Sequence, residues 1–467
     1  MPNIIAYIAL LSWPFITLFL IKKKGMENGI LLALLGAYMF LPVDFKINLP
    51  GVPALDKFTI TTATIIGYLF FHKKRLGFDA LNTFMKVVFV LFLLTPFLTV
   101  LTNSERYYYL PGLKLYDGLS DAVSNFLMII PFIFGVKYFN SYEKQALLFK
   151  YFVIAAVVYA LLAMYEVRMS PQLHRQLYGY FPHSWLQQYR EGGFRAIVFM
   201  GHGLLVALFL AVGVAMAVTM TKLKVKILRY RTSLLVVFIL TALVLQKSLA
   251  ALVFGLFALF VIYVMSSKRM HQLALVIGVL FLMYPMLSSF NMFPHKTLLD
   301  IATKIDPERA QSLGFRFEQE EALLSHANNK PLFGWGGWGR NRVRNDVTGS
   351  NVSTTDGRWI ITLGVSGWVG YLSQFLLVVT PLWLSYRLSK KHKLKEKDAV
   401  FLMASHSIVV AVILLDQMPN SSLNSLYWLI IGSLLGRALV LNREYKQRLK
   451  NERESDTFQE NIQLDRA

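Results

Sequence analysis

Gly314-Phe315-Arg316-Phe317-Glu318, His326-Ala327-Asn328-Asn329-Lys330-Pro331-Leu332-Phe333-Gly334-Trp335-Gly336-Gly337-Trp338-Gly339-Arg340 and Thr354-Thr355-Asp356-Gly357-Arg358-Trp359 all lie in one polar segment, residues 291–359. The rest of the chain alternates apolar runs with short charged connections, and that contrast decides the fold. The runs fall at 4–21, 29–43, 58–71, 85–101, 119–136, 148–164, 196–221, 233–245, 249–265, 273–290, 360–384, 400–415 and 427–441. A helix needs roughly 20 apolar residues to cross a bilayer core. Most runs approach that length; 58–71 and 233–245 are short, so the count is 12–14. In lipid the backbone must satisfy its own hydrogen bonds, so continuous apolar runs predict helices, whereas barrel strands would alternate. The expected fold is therefore all-α, a polytopic transmembrane helical bundle with one large external loop. Within that loop, 301–304 and 317–326 are expected to form short amphipathic helices. The bundle reads as one domain over 1–442, followed by a polar cytoplasmic tail at 443–467 that is a frayed helix or disordered.

Composition agrees. The 467 residues are 55% hydrophobic and only 16% charged, against about 25% charged in soluble proteins. The net charge of +21 would suggest nucleic acid in a soluble protein. Here it reads as the positive-inside bias of membrane loops, and no nucleic-acid partner is expected. The basic clusters at 22–24, 73–75, 137–150, 222–231, 268–269, 387–397 and beyond 443 share one side if the N-terminus is outside and the C-terminus cytoplasmic. The 291–359 segment then lies outside; Lys247 is the exception, expected to snorkel or bind an anion. The first run lacks a basic leader and ends in Lys22-Lys23-Lys24, so it reads as a span and not a cleaved signal. There is no cysteine, and no metal-ligand cluster is evident, so neither metal nor cofactor is expected.

The outside segments hold the candidate residues. Arg195 stands where loop turns into membrane, either as a snorkelling arginine or as a fork for a lipid-linked phosphate. His202 falls two helical turns deeper, as a helix–helix contact or a base. Arg316 is a second phosphate clamp or an i,i+4 partner of Glu320. His326 is a general base or a plain loop histidine. Gly334 and Gly336 suit backbone amides converging on an anion, or the close approach of a ligand. Trp335 and Trp338 suit sugar stacking or interfacial anchoring. Arg340, Arg342 and Arg344 oppose the positive-inside trend, which favours an anionic ligand. Asp356 is a helix N-cap or a general base. Tyr107-Tyr108-Tyr109 is expected in an interfacial aromatic belt, and His406 and Asp416 in intramembrane polar contacts.

Three of these pieces carry a resemblance. The run Arg195-Ala196-Ile197-Val198-Phe199-Met200-Gly201-His202 resembles the arginine-containing start of a central helix in the O-antigen ligase and Wzy-type O-antigen and exopolysaccharide polymerase superfamily. Arg316, then Glu320-Glu321-Ala322-Leu323 and Pro331-Leu332-Phe333-Gly334-Trp335-Gly336, resembles that family's second signature. Asp356 to Gly370 resembles its re-entry into membrane, although Asp356 stands where many members carry histidine. The resemblance covers roughly 192–372. It implies a glycosyltransferase of the bacterial inner membrane, acting on glycans carried by undecaprenyl pyrophosphate, within membrane lipid and beside a chain-length regulator and other assembly proteins. Arg195 and Arg316 would clamp the pyrophosphate, and Asp356, His326 or Glu320 would be the base. A polymerase is the expected activity, with an O-antigen ligase as the alternative. A flippase for lipid-linked oligosaccharide and an assembly scaffold are the readings from other classes.

Overall fold

The computed structural model describes residues 1–48, 54–190, 192–391 and 397–464. Its helices are α1 (Ile4–Lys24), α2 (Met26–Phe40), α3 (Lys57–Phe71), α4 (Thr83–Leu101), α5 (Leu115–Tyr138), α6 (Tyr142–Met169), α7 (Leu173–Tyr178), α8 (Gly203–Lys222), α9 (Thr232–Leu245), α10 (Leu249–Val264), α11 (Ser267–Ser289), α12 (His295–Ile305), α13 (Pro307–Asn328), α14 (Arg358–Lys391), α15 (Lys397–Asp416) and α16 (Ser425–Leu464). Among the described residues, strands are limited to two short antiparallel ribbons, Tyr189–Arg190 with Gly193–Phe194 and Lys226–Ile227 with Tyr230–Arg231. Nine helices among the described residues are long and apolar enough to cross a membrane, and α2, α3, α9 and α10 are shorter apolar helices. Each of the expected runs overlaps one of these thirteen. The chain is a multi-pass α-helical membrane protein.

Burial sorts the helices. In α8, α15 and α16 most of the apolar window is buried, whereas α1 exposes Phe15 and Phe19 as a lipid-facing helix should. A helix apolar on every side belongs in the centre, and α8 has that pattern. α5 and α16 meet through Gly432 and Gly436. A Cβ on Gly432 would lie 1.9 Å from the Phe132 carbonyl oxygen, and one on Gly436 2.4 Å from that of Val136. Small residues spaced four apart let two backbones touch where lipid supplies no hydrophobic drive.

Contacts divide the connections between two ends. At one end Glu27 pairs with Lys144 at 2.8 Å, Lys137 donates to the Arg75 carbonyl, and Arg443 donates to that of Ala80 at 2.9 Å. These are the basic connections expected to share a side. At the other end the Asn3 amide donates to the Tyr178 carbonyl at 2.9 Å, and the 291–359 segment packs over the bundle. The two amphipathic helices of that segment exist as α12 and α13, longer than expected at both ends. In the tail, the described residues continue α16 as helix to Leu464.

The seventh span differs. It was expected from 196, but α8 begins at Gly203. Residues 196–202 form a buried coil whose polar backbone needs partners. Side chains supply them. Glu166 accepts from the Ile197 and Val198 amides at 2.9 and 2.7 Å, and Tyr159 Oη from the Phe199 amide at 3.0 Å. Gln246 brackets Ala196, accepting from its amide at 2.9 Å and donating to its carbonyl at 2.8 Å. Buried Lys57 donates to the Phe199 carbonyl at 3.1 Å.

Candidate functional site

Arg195 sits at the head of this coil, 1% exposed, and donates to the Lys247 carbonyl at 3.2 Å. It is enclosed by protein and does not snorkel. Lys247 places its ammonium beside Gly193. His202 is not two turns into a helix. It is the N-cap of α8, where its Nδ1 accepts from the Leu204 amide at 3.1 Å.

The glycine-tryptophan segment is bound by other backbone. The amides of Gly334, Trp335 and Gly336 donate to the carbonyls of Lys330, Gly364 and Val365 at 3.0, 2.8 and 2.9 Å. In return the Trp368 and Val369 amides donate to Pro331 and Leu332 at 2.7 and 3.1 Å. This exchange is possible because α14 breaks at Gly367, whose φ of 61° and ψ of −167° are not helical. A Cβ on Gly334 would lie 2.5 Å from the Val365 carbonyl carbon. The glycines therefore admit a neighbouring backbone, and the amides expected to face an anion are already used. Asn103 at the end of α4 adds a bond to the Gly334 carbonyl at 2.9 Å.

Two arginines that followed are also internal. Arg340 is fully buried and donates to the carbonyls of Trp335, Glu105 and Pro111 at 3.1, 3.1 and 3.0 Å, with Glu105 3.8 Å from its other nitrogen. Arg344 donates to Tyr109 Oη at 2.5 Å and to the carbonyls of Gly349 and Gly339 at 2.9 and 3.2 Å. Arg342 and Trp338 remain exposed. His326 stacks on Trp335 with ring centroids 4.4 Å apart, and its Nε2 lies 3.0 Å from the Arg340 carbonyl. A carbonyl can only accept, so Nε2 carries the proton and Nδ1 alone is left as a basic atom. Burial pushes the His326 pKa down, opposed by that hydrogen bond. The three tyrosines expected in a belt serve this loop instead: Tyr107 packs on Trp335 and His326, Tyr108 donates to Asp346, and Tyr109 accepts from Arg344.

A different set of residues keeps its charged side chains partly exposed. α13 lays Leu323, Leu324 and Ala327 against the bundle, which turns Arg316 and Glu320 towards the start of α14. Arg316 pairs with Asp356 at 3.6 Å, with both side chains partly exposed. Glu320 accepts a 2.8 Å hydrogen bond from Tyr284 on α11. Burial raises its pKa to about 7, and the Asp356 charge adds to that, while the Tyr284 hydrogen bond and the Arg316 charge oppose it. Arg316, Glu320 and Asp356 line one recess, together with Gln319 and Thr354. Of the sequence candidates, these three share this recess, while His326, Trp335 and Arg340 meet separately in the loop. Arg195 does not line that recess.

A separate cavity of about 220 Å³ lies between α4, α5 and α14, with Gly336 and Gly337 along its edge. Its polar lining includes Asp121, Asn125, Arg358, Thr362, Ser366 and Gln374. Gln374 is 1% exposed, and neither its Nε2 nor the buried Arg358 Nε has a hydrogen-bond partner among the described residues. Asp121 and Gln374 were missed in sequence because neither belongs to a recognisable motif and they lie about 250 residues apart. Only the packing of α5 against α14's neighbours turns them to one space. Arg358 was legible only as part of the re-entry motif.

The fold and these two sites define a multi-pass membrane protein with a charged recess and a polar cavity at its loop end. No protein-family model matches the chain, and no curated protein matches it.

Proposed function

We propose that the protein is a polysaccharide polymerase of the bacterial inner membrane, transferring a glycan from undecaprenyl pyrophosphate to the hydroxyl of a second lipid-linked glycan. The loop end would face the periplasm, with the N-terminus outside and the basic end in the cytoplasm. The observation that carries this reading is the recess where the Arg316 cation, its Asp356 partner and a carboxyl tuned to about 7 at Glu320 converge. A general base works best with a pKa near the working pH. Glu320 would take the acceptor hydroxyl proton as that oxygen bonds to the donor's anomeric carbon. The bond from that carbon to the pyrophosphate breaks, and Arg316 balances the charge that departs with it. Such electrostatic help is worth about 10²–10³ in rate per group. The separate cavity lined by Asp121, Arg358 and Gln374 would offer donors and acceptors for one hydroxyl-rich ring.

The test is Arg316→Ala, checked for membrane insertion and assayed with lipid-pyrophosphate-linked glycan. Polymer formation should fall about 10²–10³-fold. Unchanged polymer length and yield overturns the reading. The Asp121–Arg358 cavity favours a second reading, a flippase of lipid-linked oligosaccharide. In that case Arg316→Ala would leave transport intact and Asp121→Asn would abolish it.

A further inference from the structure

At the basic end, remote from the recess, a groove of about 730 Å³ runs between α11, α14 and α16 and the start of α4. Its polarity changes along its length. Val279, Leu376 and Leu439 line the part towards the middle of the bundle. Along α14, Leu376 and Arg387 are separated by about 16 Å at 1.5 Å per residue. At the outer rim stand Arg387, Arg443 and Lys446, with Asp79 the one carboxylate among the lining residues. Two of the cations are held in place. Arg387 lies over the Trp383 ring at 5.5 Å, and Arg443 donates to the Ala80 carbonyl at 2.9 Å. Trp383 is itself 47% exposed, one helical turn from Arg387, and tryptophan is enriched at membrane interfaces.

We propose that this groove binds one anionic phospholipid, its phosphate at the Arg387–Arg443–Lys446 rim and an acyl chain along Leu376 and Leu439. The match is one of charge and of order: an excess of cations at the membrane edge, then an apolar trough running inward. Basic pockets between spans recognise anionic head groups in this way. A free phosphate would use the rim and leave the trough empty. The proposal does not depend on the glycosyl-transfer reading.

The test uses the full-length protein in neutral detergent, with phosphatidylglycerol or phosphatidylcholine added, read by native mass spectrometry. One phosphatidylglycerol should be retained with a preference of about tenfold or more. Arg387→Gln with Arg443→Gln should bring the two lipids to near parity. Lys22→Gln with Lys23→Gln, at the same end outside the groove, should keep the preference. Val279→Trp leaves every charge in place but fills the trough, and should expel the lipid. The proposal is overturned if the groove double variant keeps its preference. It is equally overturned if the Lys22 and Lys23 variant loses as much, which would mean diffuse surface attraction. Retention of lipid by Val279→Trp would show that the trough is not used.

Discussion

Arg316 and Arg340 lie in the same polar segment and look alike in sequence, yet the structure gives them opposite surroundings. Arg340 is buried with three carbonyls taking its protons, and it ties the 331–340 stretch to the Glu105–Pro111 loop. Arg316 pairs with the Asp356 carboxylate at 3.6 Å and keeps about a third of its side chain exposed. A guanidinium has five donors in a rigid fork. Where carbonyls already accept them it acts as a strut, and where they stay open it can take an incoming anion. Density of arginine and glycine is therefore a poor guide to a ligand site; the acceptors around each group decide.

The comparison is sharpest at Glu320. Glu320→Gln keeps an oxygen for the Tyr284 hydroxyl and removes the titrating carboxyl, so catalysis should fall by about 10²–10⁴, the usual contribution of a positioned base. In the unaltered protein, activity should rise with pH through about 7 as Glu320 ionises, and that limb should vanish in the variant. The stability effect has the reverse sign. A carboxyl whose folded pKa lies above its unfolded value binds the proton more tightly when folded, so stability declines as pH rises from about 4.5 to about 7. Glu320→Gln should therefore melt higher than the parent at pH above that range. A variant that is less active without losing the pH limb would remove Glu320 as the base.

Arg340→Met should do the opposite: lose stability, with chemistry unchanged per folded molecule. Removing a buried cation that satisfies several carbonyls costs about 3–5 kcal/mol, visible as a lower melting temperature in detergent. A fold unaffected by this change, with activity gone, would put Arg340 beside Arg316 after all. Gly334→Ala should cost less, about 1–3 kcal/mol, from a Cβ forced against the Val365 carbonyl carbon and a residue held at φ 67°. If the segment were a ligand cradle instead, the same change would weaken substrate binding and leave melting unaltered.

Much of the fold was legible. Apolar runs, parity of the basic connections and the amphipathic patterns around Ile301 and Phe317 follow from rules that hold for any chain in lipid. The misread places share a cause. Residues 196–202 are as apolar as a helix, but Glu166, Gln246, Tyr159 and Lys57 satisfy their backbone from elsewhere in the chain. Gly334 and Gly336 invite a ligand in sequence, and the break in α14 at Gly367 occupies them. Asp121, Gln374 and Arg358 come from distant positions and acquire a shared cavity only when α5 and α14 are in place.

By itself the sequence determined that this chain crosses a membrane many times and carries one large polar segment at one end. Hydropathy and charge placement are local properties, and lipid reads them directly. Only the tertiary structure decided which polar groups are spent on holding the protein together and which remain available. Each hydrogen bond needs a partner, and in this protein the partners lie far away along the chain, in helices that meet only on folding.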